Sequence, residues 1–253
     1  MNLANRLLAR YLGAVQRLLA VLGGALLDLL SVARCAACNQ HLRGPAVFCP
    51  VCVTSVVRAT PPHRTMVPGD YPGRGPAHDG IVVVGFAQYG GTVADALQRF
   101  KYGDRPDLAR PLGALLRRAV RETNRASPGS APPLSGDLVV PVPLHPRRLA
   151  ERGFNQAGLL AREVQKELGA PLATSILLRQ VDTPPQAKLG RAARAQNLAG
   201  AFRVIHRERL RRCRVILVDD VATTGATLAA CADALRDAGV ASVTALVVAI
   251  ADH

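Results

Sequence analysis

Two adjacent carboxylates followed by a turn of small and hydroxyl residues are the part of this sequence best suited to chemistry. Residues 215–218 are a short apolar run rich in β-branched side chains, which predicts a buried parallel strand. Asp219 and Asp220 follow this strand, and residues 221–227 lead into apolar positions at helical spacing as far as Leu235. The predicted order is strand, acidic pair, tight turn and helix N-terminus.

The turn is suited to binding a phosphate group. Backbone N–H groups converge where a tight turn enters a helix, and the helix dipole adds partial positive charge. Small residues let the backbone approach a ligand closely, and threonine hydroxyls can donate to phosphate oxygens. The residues predicted to hold a 5′-phosphate are Val221, Ala222, Thr223, Thr224, Gly225, Ala226 and Thr227.

The two carboxylates suit ribose hydroxyls, contacted directly or through Mg²⁺. A site that takes a 5′-phosphate and a vicinal diol binds a ribose phosphate, so Asp219 and Asp220 are predicted as the catalytic residues. Both are expected at a strand end that solvent and ligand reach. The alternative is an ordinary βα turn in which Asp and Thr only cap the helix, although a cap needs neither the second acid nor three threonines.

Four of the six cysteines form two Cys-x-x-Cys units, a spacing typical of a metal site. Four thiolates complete a tetrahedral Zn²⁺ site with no open position, so the metal is expected to be structural. The alternative is a pair of redox motifs, but neither unit begins a βα segment as such motifs do. The predicted ligands are Cys35, Cys38, Cys49 and Cys52.

A proline-rich basic segment follows a predicted strand over residues 137–142. Residues 143–152 are expected to form a stiff loop that carries Arg147, Arg148 and Arg152. Because guanidinium groups donate in pairs to phosphate oxygens, these three arginines are predicted to bind a diphosphate. A solvated basic loop is the alternative.

The charge of the chain favours polyanionic partners. Its 253 residues carry a net charge of +14 at pH 7, nearly all from arginine. Diphosphate substrates and single-stranded DNA both fit this charge, while arginine richness with little lysine is also typical of a GC-rich genome. Aromatic residues make up 4% and tryptophan is absent, which disfavours a dedicated strand binder because such proteins stack bases on aromatic side chains.

Alternating strands and helices from residue 81 onward predict an α/β fold with a parallel sheet. Ligands bind beyond the carboxyl ends of such strands, so the loops after residues 142, 178 and 218 are expected to meet around one site. The predicted divisions are an N-terminal amphipathic helix (1–33), a four-cysteine zinc-binding head (34–57), a linker (58–80) and the α/β domain (81–253).

The N-terminal 33 residues are rich in leucine and alanine. Their longest uncharged run, residues 18–27, is too short to span a bilayer, and no convincing cleavage site follows it. We therefore expect a cytoplasmic protein whose first helix packs on its own body or on a second subunit of a homodimer. Contact with a membrane surface is the alternative.

Residues 215–227 resemble the 5-phosphoribosyl-1-diphosphate (PRPP) motif of type I phosphoribosyltransferases. Residues 30–250 resemble the ComF family, phosphoribosyltransferase-like proteins associated with bacterial DNA uptake. One departure is Val181, where the family often has a second basic residue. Besides the cysteines and the acidic motif, the resemblance rests on Phe100-Lys101-Tyr102, Pro141-Val-Pro-Leu, Arg152-Gly-Phe-Asn-Gln156, Gln186-x-x-Leu189, Arg194-x-x-Asn197 and Gly200-Ala201-Phe202.

The resemblance implies a type I phosphoribosyltransferase-like sheet flanked by helices, which binds Mg²⁺–PRPP and transfers the phosphoribosyl group with release of diphosphate. It implies that residues 143–148 are the diphosphate loop and that residues 180–198 are a mobile hood. Lys101 either reaches the phosphates or simply ends a helix. The hood residues are Gln186, Arg191, Arg194 and Asn197.

The sequence does not identify the acceptor of the phosphoribosyl group. A link to DNA uptake or to nucleotide salvage is compatible with the resemblance. The opposing hypothesis is a non-catalytic accessory protein of competence that binds PRPP, a ribonucleotide or single-stranded DNA.

Overall fold

The structure is a computed structural model that describes residues 33–59, 64–67, 80–126, 133–182, 198 and 200–251, with residues 64–67 described by their backbone. The strands are β1 (Arg64–Val67), β2 (Ile81–Gln88), β3 (Leu138–Pro141), β4 (Leu177–Arg179), β5 (Phe202–Val204), β6 (Arg214–Ala222) and β7 (Ser242–Ile250). The helices are α1 (Pro50–Val53), α2 (Gly91–Tyr102), α3 (Ala109–Arg125), α4 (Pro146–Arg152), α5 (Gln156–Leu168) and α6 (Ala226–Asp237).

The main sheet has five strands in the order β1-β2-β7-β6-β3. The strands β2, β7, β6 and β3 are parallel, and β1 pairs antiparallel with β2 at the edge. The register sets Pro141 of β3 opposite Val218 of β6, and Asp219 opposite Val247 of β7. The carboxyl ends of β3, β6 and β7 therefore lie side by side.

Helices cover both faces of this sheet, which explains why its strands are almost continuously apolar. Alternate residues of β6 belong to different cores. Ile216 and Val218 pack in the core shared with α2, α3 and α5. Val215 and Leu217 pack in the core shared with α6 and with the β4–β5 ribbon.

The cysteine-rich head packs on the first of these cores rather than standing apart from the body. Cys35 and Phe48 are buried in the same cluster as Leu97 of α2. The Arg99 Nη1 of α2 donates to the Ala37 carbonyl at 2.6 Å. The head and the α/β domain therefore share one hydrophobic core.

Residues 146–152 form helix α4, where the sequence analysis expected a stiff loop over residues 143–152. Pro146 lies in the first turn, where its missing N–H costs nothing, and the His145 Nδ1 accepts from the Arg147 N–H at 3.4 Å. Gly153, at φ +77°, ends the helix. Pro146, one of the prolines expected to stiffen a loop, thus begins a helix.

Two other expectations also change. The strand that the loop after residue 178 was expected to follow is β4, which pairs antiparallel with β5 in a separate ribbon and not within the main sheet. The predicted linker over residues 58–80 contains β1. The expected helix over residues 1–33 lies, apart from Ala33, outside the described residues.

Within the described parts of the chain, no helix is long and apolar enough to span a bilayer.

Candidate functional site

Strand β6 extends through the acidic pair and ends at Ala222, four residues later than the apolar pattern indicated. The neighbouring strand β7 is responsible, because it pairs with β6 as far as Ala222 opposite Ile250. The Ala251 N–H also donates to the Ala222 carbonyl at 2.8 Å. Asp219 and Asp220 therefore lie inside a strand, where successive side chains point to opposite faces.

Asp220 is buried, contrary to the expectation that solvent and ligand reach both carboxylates. It is 4% exposed and lies on the face of the sheet that carries α2. The Lys101 Nζ of α2 lies 2.7 Å from its Oδ2. Asp219 is partly exposed on the opposite face. The two acids of the motif therefore have different surroundings.

The charges around this pair are strongly coupled. Burial, followed by the negative charge of Asp220, raises the pKa of Asp219 to about 8, although Lys101 acts in the opposite direction. Burial by itself lowers the pKa of Lys101, but the Asp220 carboxylate, together with smaller contributions from Asp219 and Tyr102, outweighs this, so that the pKa of Lys101 is raised. Lys101 and Asp220 therefore form an ion pair, and Asp219 retains a proton more readily than an ordinary aspartate.

The turn after β6 combines a glycine at positive φ with the N-terminus of a helix. Gly225 adopts φ +73° at the N-cap of α6, a backbone conformation that favours glycine. No side chain caps this helix; the Ala226 N–H reaches the Thr224 Oγ1 at 3.4 Å. Thr223 is exposed, while Thr224 and Thr227 are partly buried. The first N–H groups of α6 therefore follow a turn that contains Thr223 and Thr224, and Thr227 lies in the first turn of the helix itself.

Helix α4 begins close to the acidic pair, because the Val142 N–H donates to the Val218 carbonyl at 2.9 Å. Arg147 and Arg148 lie 3.6 and 4.0 Å from the carboxylate of Asp182. Both arginines thus share an acidic neighbour that an anionic ligand could displace.

Arg152 points elsewhere. Its guanidinium lies 5.1 Å from the centre of the Tyr102 ring at the end of α2. Of the three arginines predicted for a diphosphate, the structure brings Arg147 and Arg148 together and directs Arg152 to a different neighbour.

Sequence reasoning assigned no role to Arg179, which ends β4, and included Asp182 only as a member of the expected hood over residues 180–198. Burial lowers the pKa of Arg179, and the carboxylates of Asp182 and Asp219 oppose this effect. Arg179 therefore belongs to the electrostatic surroundings of Asp219. Its position at the carboxyl end of a short strand was the sequence feature that could have pointed to Arg179 as a site residue. The hood residues Gln186, Arg191, Arg194 and Asn197 lie outside the described residues.

The four predicted cysteine ligands come together, with all four Sγ atoms within 4.8 Å of one another. The Cys38 and Cys49 Sγ atoms are 3.7 Å apart. A tetrahedral site with metal–sulfur bonds of about 2.3 Å needs sulfur atoms about 3.8 Å apart. The cluster could therefore hold a metal ion.

The thiols of this cluster differ in how readily they ionise. Burial alone raises the pKa of Cys35, but backbone N–H groups of Cys38 and Cys49 lower it to about 6. Burial, and then the neighbouring thiols, raise the pKa of Cys52 to about 12. One thiol of the cluster therefore ionises readily, whereas another needs a positive ion to do so.

Comparison with known proteins agrees with this arrangement. A family model described as "Phosphoribosyl transferase domain" matches residues 150–253. Competence protein F of Haemophilus influenzae is 36% identical over 166 residues, which are 65% of this chain and 70% of that protein. DNA utilization protein YhgH of Escherichia coli K12 is 30% identical over 209 residues, 83% of this chain and 86% of that protein.

The solved structures that match this chain are more distant. The "allosteric regulatory enzyme of purine biosynthesis" is 18% identical with a TM-score of 0.38, and the match covers 59% of this chain and 29% of that enzyme's chain. The hypoxanthine phosphoribosyltransferase of Trypanosoma cruzi is 12% identical with a TM-score of 0.32, and the match covers 56% of this chain and 64% of that enzyme's chain. Scores this low add nothing to the assignment, and the chain spans less than a third of the first enzyme's length.

The parallel sheet flanked by helices and the matched domain define a protein of the type I phosphoribosyltransferase-like class. Within this class, the coverage and identity of the two curated relatives place the chain in the ComF family.

Proposed function

We propose that this protein binds Mg²⁺–PRPP and transfers its phosphoribosyl group to an acceptor with release of diphosphate. The observation that carries the proposal is the turn between β6 and α6, where the positive φ of Gly225 leads into an uncapped helix N-terminus beside Asp219. A 5′-phosphate would bind at residues 221–227, because N–H groups, hydroxyls and the helix dipole all favour an anion there.

The ribose diol would contact Asp219, which is the partly exposed acid of the pair. As the bond from C1 to diphosphate breaks, positive charge develops on the ribose ring. This charge favours the ionised form of Asp219, which would stabilise it as a carboxylate. Arg147 and Arg148 would exchange Asp182 for the diphosphate, because guanidinium groups bind phosphate oxygens bidentately. The protein would act mainly by positioning and by charge.

Mg²⁺ would arrive on the diphosphate of PRPP and neutralise the charge of the leaving group. Mg²⁺ is usually held by substrate phosphates and a few carboxylates rather than by a dedicated protein cage. A metal that the substrate carries needs no cage of its own, and the carboxylates nearest Arg147 and Arg148, those of Asp182 and Glu151, pair with these arginines.

The cysteine cluster is proposed to hold one structural Zn²⁺ through four thiolates, because neither water nor substrate has a place in a four-coordinate thiolate site. Reduced thiols are maintained in the cytoplasm, so we propose that the protein works there.

The decisive experiment is diphosphate release from Mg²⁺–PRPP in the presence of a panel of nucleobases. We expect release with at least one acceptor, and a large loss in Asp219→Asn. The double variant Arg147→Ala/Arg148→Ala should bind Mg²⁺–PRPP about tenfold more weakly, yet bind ribose 5-phosphate like the wild type, because the latter ligand has no diphosphate. Wild-type protein that binds neither ligand by calorimetry would refute the proposal.

A second candidate function is a non-catalytic accessory role in DNA uptake. It is favoured by the net charge of +14 and by the printed names of two relatives, "Competence protein F" and "DNA utilization protein YhgH". Binding of Mg²⁺–PRPP or a ribonucleotide without diphosphate release, together with binding of single-stranded DNA, would support this candidate over the enzyme.

A further inference from the structure

A single side chain joins the two ends of the segment between β3 and α5. The Asn155 Nδ2 donates to the Val142 carbonyl at 3.1 Å, thirteen residues back in the sequence. Between these two residues lies α4, which carries Arg147 and Arg148, the arginines proposed for the diphosphate. Helix α4 is therefore part of a loop that the Asn155 side chain closes.

Asn155 occupies the N-cap position of α5 but does not cap that helix. Asparagine at an N-cap usually accepts from the N–H groups of the first turn. The Asn155 side chain makes no such hydrogen bond and is directed to Val142 instead. The contact with Val142 is therefore separate from helix capping, and the two can be tested separately.

The strand ladder does not hold the carbonyl that Asn155 binds. The last ladder bond at this end of β3 runs from the Val142 N–H to the Val218 carbonyl at 2.9 Å. In a continued parallel ladder the Val142 carbonyl would next accept from the Asp220 N–H, but this N–H donates to the Asp219 Oδ1 at 2.9 Å. The orientation of the Val142 carbonyl thus depends on the Asn155 amide.

Two prolines pass this restraint on to α4. The Val142 carbonyl belongs to the planar peptide unit that precedes Pro143, so the bond from Asn155 orients this whole unit. The ring of Pro143 fixes its φ angle, and Pro146 already lies in the first turn of α4. Few free torsions therefore separate the carbonyl from the arginines of the helix.

The other end of the segment is anchored in the hydrophobic core. Gly153, at φ +77°, ends α4, and Phe154 follows it. The Phe154 ring packs on Phe100, which is fully buried, with 5.8 Å between the ring centres. Asn155 is therefore held in place by its neighbours and can act as a fixed point for the loop.

On the basis of the function proposed above, we propose that Asn155 is a positioning residue for the diphosphate of PRPP. Its bond to Val142 sets the direction in which the chain leaves β3 and thereby places Arg147 and Arg148 beside the diphosphate. Asn155 acts through these arginines and does not touch the ligand. The phosphate turn at residues 221–227 belongs to other elements and does not depend on this bond.

Two variants that both lose the bond but differ in helix capping test this role. Asn155→Ser is too short to reach the Val142 carbonyl but is a good N-cap, whereas Asn155→Ala provides no cap. By calorimetry, both should bind Mg²⁺–PRPP about tenfold more weakly than the wild type and bind ribose 5-phosphate like the wild type. Urea unfolding should show Asn155→Ser to be the more stable of the two. An affinity that follows stability would refute the inference.

The matched control is Asn124→Ala. The Asn124 Oδ1 accepts from the Leu134 N–H at 2.6 Å and so closes a different loop, which leads to the amino end of β3. Its removal should lower the stability in urea and leave the affinity for Mg²⁺–PRPP unchanged. A tenfold loss of affinity in this control too would mean that any loosened loop has this effect, which would overturn the specific role of Asn155.

Combination with Arg147→Ala/Arg148→Ala asks whether Asn155 acts through the arginines. If it does, adding Asn155→Ser to this double variant should weaken Mg²⁺–PRPP binding by less than about twofold, because the groups that it positions are already gone. A further loss of about tenfold would show that Asn155 acts on the ligand by another route, and the inference would be wrong.

The remaining outcomes distinguish the inference from the function on which it rests. Wild-type affinity for Mg²⁺–PRPP in Asn155→Ser, or an equal loss for Mg²⁺–PRPP and ribose 5-phosphate, would refute the inference alone. If Asn155→Ala does not fold, the comparison of Asn155→Ser with the wild type and with Asn124→Ala still decides. Failure of the wild type to bind either ligand would refute the proposed function and the inference together.

Discussion

Asp219 and Asp220 are adjacent in the sequence but differ in their partners. Asp220 faces Lys101, and the pKa of Asp219 is raised from 3.8 to about 8 by burial and by the charge of Asp220. Between pH 3.8 and about pH 8, Asp219 keeps a proton in the folded protein that it has released in the unfolded chain. The stability that this proton contributes is complete below the unfolded pKa and is lost as the pH rises toward 8.

Asp219→Asn should therefore stabilise the protein more at pH 8 than at pH 5. The groups that face Asp219 are Asp220 and Lys101 on one side and Arg179 and Cys231 on the other. We expect the free energy of unfolding of the variant to exceed that of the wild type by at least about 1 kcal/mol at pH 8, with a smaller difference at pH 5. Urea titrations measure this. For comparison, Asp95→Asn removes an exposed acid of α2 and should show no such trend.

Gly225 permits a second prediction at the scale of single residues. Gly225→Ala and Gly169→Ala both add a Cβ at positive φ, +73° and +64°, so each should cost about 1 kcal/mol of stability. Gly169 ends α5, and a Cβ there meets no atom within 4 Å. Only Gly225→Ala should also weaken binding of ribose 5-phosphate, by about tenfold, because it disturbs the phosphate turn. Equal affinities in the two variants would contradict a phosphate site at this turn.

Among the elements, the cysteine-rich head combines a short helix with two knuckles of chain. The thiol of Cys49 accepts from the Cys52 N–H at the start of α1 and also lies next to Cys38. The head is attached to α2 by the contact from Arg99 to the Ala37 carbonyl and by a 2.6 Å hydrogen bond between the hydroxyls of Ser55 and Thr92. Loss of a metal from the head is therefore expected to affect the body.

Cys49→Ser should abolish zinc binding and lower the melting temperature, because metal binding contributes folding energy to so small a unit. The wild type, purified without chelator, should contain one zinc ion per chain by elemental analysis. Cys213→Ser is the matched control, since Cys213 is partly exposed, bonds to the Arg209 carbonyl and lies outside the cluster. A full complement of zinc in Cys49→Ser would refute the assignment.

For the molecule as a whole, the net charge of +14 is the property most relevant to nucleic acid. If the protein binds single-stranded DNA through phosphates, its affinity should fall at least about tenfold between 50 and 200 mM salt. Fluorescence anisotropy with a labelled oligonucleotide measures this. Mg²⁺–PRPP should compete if the arginines near Asp182 take part. An affinity that does not change with salt would exclude a phosphate-driven mode.

The sequence by itself determined those features that depend on neighbouring residues. The order of strand, turn and helix follows from the hydrophobic pattern and from the small residues of the turn, and the structure confirms this order on either side of Gly225. The spacing of the four cysteines likewise predicted that their sulfur atoms would meet. Both signals are short in range, because turn geometry and ligand spacing involve residues a few positions apart.

Tertiary structure alone decided the features that depend on distant residues. Strand β6 is extended through the acids because β7 pairs with it, and this places Asp220 against Lys101 and Asp219 on the opposite face. Strand β4 lies outside the main sheet because it pairs antiparallel with β5. Burial and charge pairing are set by elements that meet only when the chain has folded, so no local pattern around residue 101 or residue 220 could specify that these two side chains form a pair.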